Sequence, residues 1–144
     1  MLIEKVNIIF VAAITFTQPL DVAVNTNTKG ISRVSDLCKE LKHVISFIHV
    51  STAYSNAYLS EVEEKVYTTS WEPSAVIDIC DKQHKNSIAL LEESILKIHP
   101  NTCTFTKNLA EQIVFSDCKS FSTAIVERPS IIGASLPEQP CPGW

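Results

Sequence analysis

Glycine is almost missing from this sequence: only Gly30, Gly133 and Gly143 occur in 144 residues. A G-x-G-x-x-G or G-x-x-G-x-x-G turn for a dinucleotide diphosphate is therefore excluded within it. The five cysteines, Cys38, Cys80, Cys103, Cys118 and Cys141, are odd in number and include no C-x-x-C pair. That spacing argues against a disulfide framework or zinc site and for a reducing compartment. His43, His49, His84 and His99 do not fall at ligand spacing either, so no metal is expected. Positive charge is also short: the net charge is −4, which gives no broad field for nucleic acid or an anionic membrane. The one basic cluster, Lys39, Lys42 and His43, reads as the C-terminal end of a helix. Membrane-spanning runs are missing. Residues 6–16, VNIIFVAAITF, are too short to cross a bilayer. With Glu4 ahead and Asn7 inside, they read as a buried strand rather than a signal-peptide core.

What is present suits one globular domain. A composition 45% hydrophobic and 19% charged excludes the disordered and coiled-coil classes, and 144 residues can bury a real core. Val6–Ala13 reads as a fully buried strand of the parallel type. A helix follows, with Pro19 in its first turn and apolar positions at Leu20, Val24, Val34, Leu37 and Leu41. Gly30 interrupts that helix, marking a kink or a close approach. Val44–Val50 is a second strand, which makes a β-α-β unit with parallel strands and a right-handed crossover. Residues 54–70 look like an irregular excursion. Helices are expected from Glu72 and Pro73, with Val76, Ile77 and Ile79 inward, and through Ile88, Leu91, Ile95 and Ile98 up to His99-Pro100. Asn101 is placed to cap a last helix striped by Phe105, Leu109 and Ile113, flanked by Ala110 and Val114. Thr123–Val126 is a third short strand, and the tail from Pro129 to Trp144 is loop. The class is α/β.

The residues with chemistry are hydroxyls, a thiol and a lysine. Ser51 and Thr52 end the second strand, at the edge where open α/β sheets bind ligands. Cys103 and Lys107, four apart, share one face of the last helix. Reducing a carbonyl needs an acid aimed at its oxygen and a second donor to hold that oxygen. A hydroxyl facing a tyrosine with a lysine four residues on would meet that need, but here the first position is cysteine. Each residue also has a plainer reading. Ser-Thr can be a turn or cap, Lys107 can pair with Glu111 on a solvated face, and Cys103 can be a small buried apolar group. Tyr54 fits a pocket wall better than a substitute acid.

From about Ile3 to Trp144 the chain resembles the fatty acyl-CoA reductases, extended short-chain dehydrogenases with a male-sterility-type reductase domain. The resemblance is carried by LIEKVNIIF, PLDVAVNTNTKG, FIHVSTAYSN, SWEPSAVIDIC, HPNTCTFTKNLAEQIV, RPSIIGAS and PCPGW. It implies NADPH-dependent reduction of a long-chain acyl-CoA, through the aldehyde, to a primary alcohol. It also implies a peroxisomal or endoplasmic-reticulum setting, although this chain alone would be soluble and cytoplasmic. The implied fold is an incomplete Rossmann-like, doubly wound parallel sheet lacking its first β-α-β part, with residues 1–144 as one partial NAD(P)-binding domain. By position, Thr52, with Ser51 as alternate, matches the family's carbonyl-orienting hydroxyl, and Lys107 its lysine. Asn27 matches the helix asparagine near the site's water network. Ala12 and Ala13 match the backbone passing under the cofactor, and Pro129, Ser130 and Ile131 the loop beside the nicotinamide.

The departures from the family pattern set the remaining expectations. Cys103 stands at the position of the catalytic tyrosine. FVAAITFTQPL is shorter than its counterpart, and Glu127 is an insertion in AIVERPS. The chain starts after the cofactor fingerprint and stops before the acyl-chain part, so it is expected to be a fragment or inactive. The alternative is a degenerate, non-catalytic remnant that binds other proteins. A thiol titrates near ~8.5 against ~10 for a phenol, and Lys107 is expected to lower it further.

Overall fold

The structure, a computed structural model, describes residues 6–12, 14–117, 119, 121 and 123–132. Three parallel strands, β1 (Val6–Val11), β2 (Val44–Val50) and β3 (Ala124–Glu127), form a sheet in the order β1-β2-β3. The register sets Val11 beside Val50, and Val50 beside Glu127, so all three strands finish in one row. This α/β arrangement is that of a partial Rossmann-like parallel sheet.

The chain leaves β1 and enters a continuous helical stretch. It starts as α1 (Leu20–Ala23), widens to one π-helical turn (Val24–Thr28) and runs on as α2 (Lys29–Glu40). Its inner face is Leu20, Ala23, Val24, Asn27, Thr28, Ile31, Ser35 and Cys38, a helical period of mixed polarity. The apolar-only stripe misplaced part of this face, since Leu37 and Leu41 are exposed. Gly30 lies just past the widened turn, where a Cβ would sit 3.2 Å from Phe10 Cζ. It is therefore a site of close approach between helix and strand.

After β2, a 3-10 turn (Ala53–Asn56) and the excursion lead to α3 (Pro73–Lys82), α4 (Lys85–Leu96) and α5 (Thr102–Asp117). Pro73 opens α3, as its missing N–H allows. Asn101 caps α5, its Oδ1 accepting the Thr104 N–H at 2.9 Å. The stripe read through α4 stops early. The helix ends at Leu96, Lys97 turns the chain at φ 50°, and Ile98 points to solvent.

Helix α5 is buried on every side from Thr102 to Ala110, because it belongs to two cores. Phe105 and Leu109 pack with Leu20, Val24, Val76, Ile88 and Ile95 in the helical layer. Ala110, Ile113 and Val114 pack with Ile31, Cys38 and Phe47 against the sheet. The opposite sheet face is open, which corrects the expectation that Val6–Ala13 is a fully buried strand. Inward Ile8 and Phe10 alternate with Ile9 and Val11, which are 64% and 63% exposed. Ala13 lies outside the described residues. Among the described residues, no helix is long and apolar enough to cross a membrane.

Candidate functional site

The strands' common end is held by one ammonium. Lys107 Nζ donates to the carbonyl oxygens of Ala12, at 2.7 Å, and Val50, at 2.8 Å. These two carbonyls follow or end neighbouring strands, so Lys107 ties the ends of β1 and β2 to the middle of α5. It is buried, and burial pulls its pKa down against the opposing influence of Cys103 and Glu111. The solvated Lys107–Glu111 pair considered from sequence does not form.

Cys103 sits one turn ahead on the same face, also buried. Burial pushes its thiol up, and the Lys107 ammonium pulls it down by less. The expected lowering is thus reversed, since desolvating a thiolate costs more than one nearby cation returns.

Ser51 and Thr52 take different directions. Ser51 Oγ donates to Glu111 Oε1 at 2.5 Å, inside the protein. Thr52 is half-buried, and its Oγ1 accepts the Tyr54 N–H at 3.3 Å, capping the 3-10 turn. The loop through Pro129, Ser130 and Ile131 lies against this turn, with the Ala53 N–H donating to the Pro129 carbonyl at 2.9 Å. Tyr54 is partly exposed, its hydroxyl 3.5 Å from Ser130 Oγ, and Ile131 is open to solvent. Asn27 lies in the π-helical turn and donates through Nδ2 to Thr106 Oγ1 at 2.9 Å, while its buried Oδ1 has no partner. The structure thus gathers Ala12, Val50, Cys103 and Lys107 at the strand ends. Thr52 and the 129–131 loop border them, and Asn27 joins through Thr106.

Sequence reasoning missed the fixture behind this edge. Glu111, fully buried, accepts from Ser51, from Ser55 Oγ at 2.9 Å, and from Arg128 through Nε at 3.0 Å and Nη2 at 2.6 Å. Arg128 Nη2 also donates to the Lys65 carbonyl at 2.8 Å, holding the excursion to the sheet. The network continues from Asn56 Nδ2 to Ser55 Oγ, from Asn108 Nδ2 to Asn56 Oδ1, and from Gln112 Nε2 to Asn108 Oδ1. One signal was available. Cys103, Lys107 and Glu111 repeat every four residues along one helix face. His49, stacked on Phe10 beside Lys107, was missed too. Burial and the Lys107 charge hold it neutral, its pKa pushed down to about 3.

The sequence profile of the male sterility protein family, that of an NAD-binding domain, matches residues 1–144. The chain belongs to that family. Among similar proteins, Drosophila melanogaster CG8306, assigned by name to the fatty acyl-CoA reductases, is 43% identical over 99% of this chain. Fatty acyl-CoA reductase 1 of Gallus gallus and fatty acyl-CoA reductase 2 of Mus musculus are 36% and 35% identical over the same share. The chain spans 28% of the length of each of these relatives.

Proposed function

We propose that this male sterility family chain is the strand-end part of an NADPH-dependent fatty acyl-CoA reductase domain, and that Cys103 leaves it without the proton donor that reduction needs. The observation that carries this reading is the pairing of Lys107 with Cys103. The lysine sits at the row of strand ends, and the group one turn ahead of it is a buried thiol kept protonated. A thiol is a short, weak donor, and losing one donor to a developing oxyanion costs roughly 10²–10³ in rate. In this reading Thr52 orients the acyl carbonyl, and Asn27 stands behind the site as a buried amide bonded to Thr106. Residues 129–131 border the nicotinamide.

The residues fit one end of such a cofactor. An ammonium has three N–H groups, and two of Lys107's are used on backbone oxygens, which leaves a third for a ribose hydroxyl. When bound, the nicotinamide would supply the hydride. The diphosphate end has no counterpart here, because Gly30 is spent on contact with Phe10 and no Gly-rich turn follows β1. As a stand-alone chain, residues 1–144 are expected to oxidise no NADPH with a long-chain acyl-CoA.

The test is a graft into the Gallus gallus fatty acyl-CoA reductase 1, with residues 1–144 replacing the matching segment. The graft carrying Cys103→Tyr should reduce acyl-CoA. The graft with Cys103 should be at least about 10² slower at equal NADPH affinity. Equal rates would overturn the assignment of the proton donor. Inactivity of both, with NADPH still bound, would overturn the reductase reading of this segment.

A further inference from the structure

Thr52 follows β2 in extended backbone, half-buried, with Oγ1 accepting the Tyr54 N–H. The residues on either side of it are tied to distant parts of the chain. Ser51, just before it, donates through its backbone N–H to the Glu127 carbonyl at 2.7 Å and through Oγ to Glu111 Oε1. Ala53, just after it, donates to the Pro129 carbonyl at 2.9 Å. Ser55 Oγ then returns to the same Glu111 Oε1 that Ser51 uses. Two hydroxyls that bracket Thr52 thus converge on one carboxylate oxygen of α5.

Arg128 fixes that carboxylate at both oxygens. Nε donates to Oε1 at 3.0 Å and Nη2 to Oε2 at 2.6 Å, a two-point grip that sets the plane of the group as well as its place. Arg128 directly precedes Pro129, so the same side chain joins the 129–131 loop to the turn after β2. As a device for stability alone this is expensive. A carboxylate buried so fully is often no better for folding than apolar residues of the same volume. What a satisfied polar network adds is direction, because each bond fixes an angle that apolar packing leaves loose. Thr52 gains most from that. Its oxygen already accepts from Tyr54, and its own O–H remains for a carbonyl.

We propose that Glu111 is a positioning residue, which aims the Thr52 hydroxyl at the acyl carbonyl through Ser51 and Ser55 and holds the 129–131 loop in step with it through Arg128. This assignment rests on the reductase reading. It also gives the two adjacent hydroxyls separate parts: that of Ser51 is committed to Glu111, and that of Thr52 is left for the substrate.

The test uses the Gallus gallus fatty acyl-CoA reductase 1 graft carrying Cys103→Tyr, with rates expressed per bound NADPH so that unfolded enzyme does not count. Ser55 is fully buried, so its hydroxyl acts only through its neighbours and its removal isolates positioning. Ser55→Ala should lower kcat about tenfold with the KM for NADPH unchanged. Thr52→Ala should lower kcat by about 10². In the double variant the two losses should not multiply, because aiming a hydroxyl that is already absent costs nothing more. Ile88→Ala, in the helical core, should unfold more easily yet keep its kcat, which separates aim from stability. Losses that multiply, or a Ser55→Ala graft as fast as its parent, would overturn the positioning role while the reductase reading stood. A parent graft that binds NADPH and reduces nothing would overturn both.

Discussion

Glu111 and Arg128 behave as one unit at the scale of single residues. A carboxylate with no solvent exposure is tolerable only because Arg128, Ser51 and Ser55 surround it with donors. Removing one partner strands the other, so Glu111→Ala and Arg128→Ala should each lose about 3–5 kcal/mol of unfolding free energy in urea. The double variant should lose less than their sum. A loss below about 1 kcal/mol for either would mean that the pair is solvated and unimportant. The thiol of Cys103 gives a second expectation. Because burial raises its pKa, iodoacetamide at pH 7.5 should alkylate it at least tenfold more slowly than free cysteine, read by peptide mass spectrometry. Rapid alkylation would reverse the burial argument. The placing of Thr52 after a strand end and of Lys107 one turn beyond Cys103 was legible in the sequence because strand ends and four-residue helix spacing are local patterns. Glu111 was not, because its partners stand 60 and 17 residues away and no local rule brings them together.

Elements show the same division between local and distant causes. Asn101 was readable as a cap because capping is settled within four residues, and Asn101→Ala should cost about 1 kcal/mol in thermal or urea unfolding. No change would mean that water replaces the cap. The inner face of the helical stretch from the π-helical turn into α2 was less readable, since Asn27, Thr28 and Ser35 occupy positions where only apolar residues were sought. Thr28 Oγ1 bonds to the Thr106 carbonyl at 3.1 Å and Ser35 Oγ to Asp117 Oδ2 at 3.4 Å, so polar residues fit there through partners on α5. Helix α5 likewise looked one-sided, although it is enclosed. Its polar residues face inward because sheet, helices and strand ends each offer them acceptors.

The whole molecule carries two buried histidines and one open sheet face. His49 and His99 stay neutral in the folded chain down to about 3 and about 4, whereas in the unfolded chain each titrates near 6.5. Above pH 6.5 neither state is protonated, and the stabilisation is fully present. Between about 6.5 and 4 the unfolded chain takes up protons that the folded one refuses. Stability should then fall by up to ~1.4 kcal/mol per pH unit for each histidine. Urea midpoints at pH 7 and 5 check this, and His99→Leu or His49→Leu should flatten the slope; an unaltered slope in both would show that other groups cause it. The open face presents Ile9, Val11 and Ile125 beside the outer edges of β1 and β3, which pair with no strand among the described residues. The chain at micromolar concentration should therefore sediment above its 16.0 kDa monomer mass, and Val11→Lys should shift it back. The parallel order was readable from the β-α-β pattern. The one-sided covering was not, because a strand such as VNIIFV looks the same whether one or both faces are packed.

The ammonium that joins Ala12 to Val50 bears on how such a protein ages. On the reading proposed above, a tyrosine at position 103 would serve only the reaction, so its exchange for cysteine would cost folding little. Lys107 has a second employment, since its loss would leave two strand ends untied and a hole in the middle of α5. On the reductase reading proposed above, mutations should therefore accumulate in a fixed order, position 103 first and Lys107 last. A lysine kept at position 107 is then a record of architecture, and on the proposed reading it is the residue one turn before it that reports on chemistry.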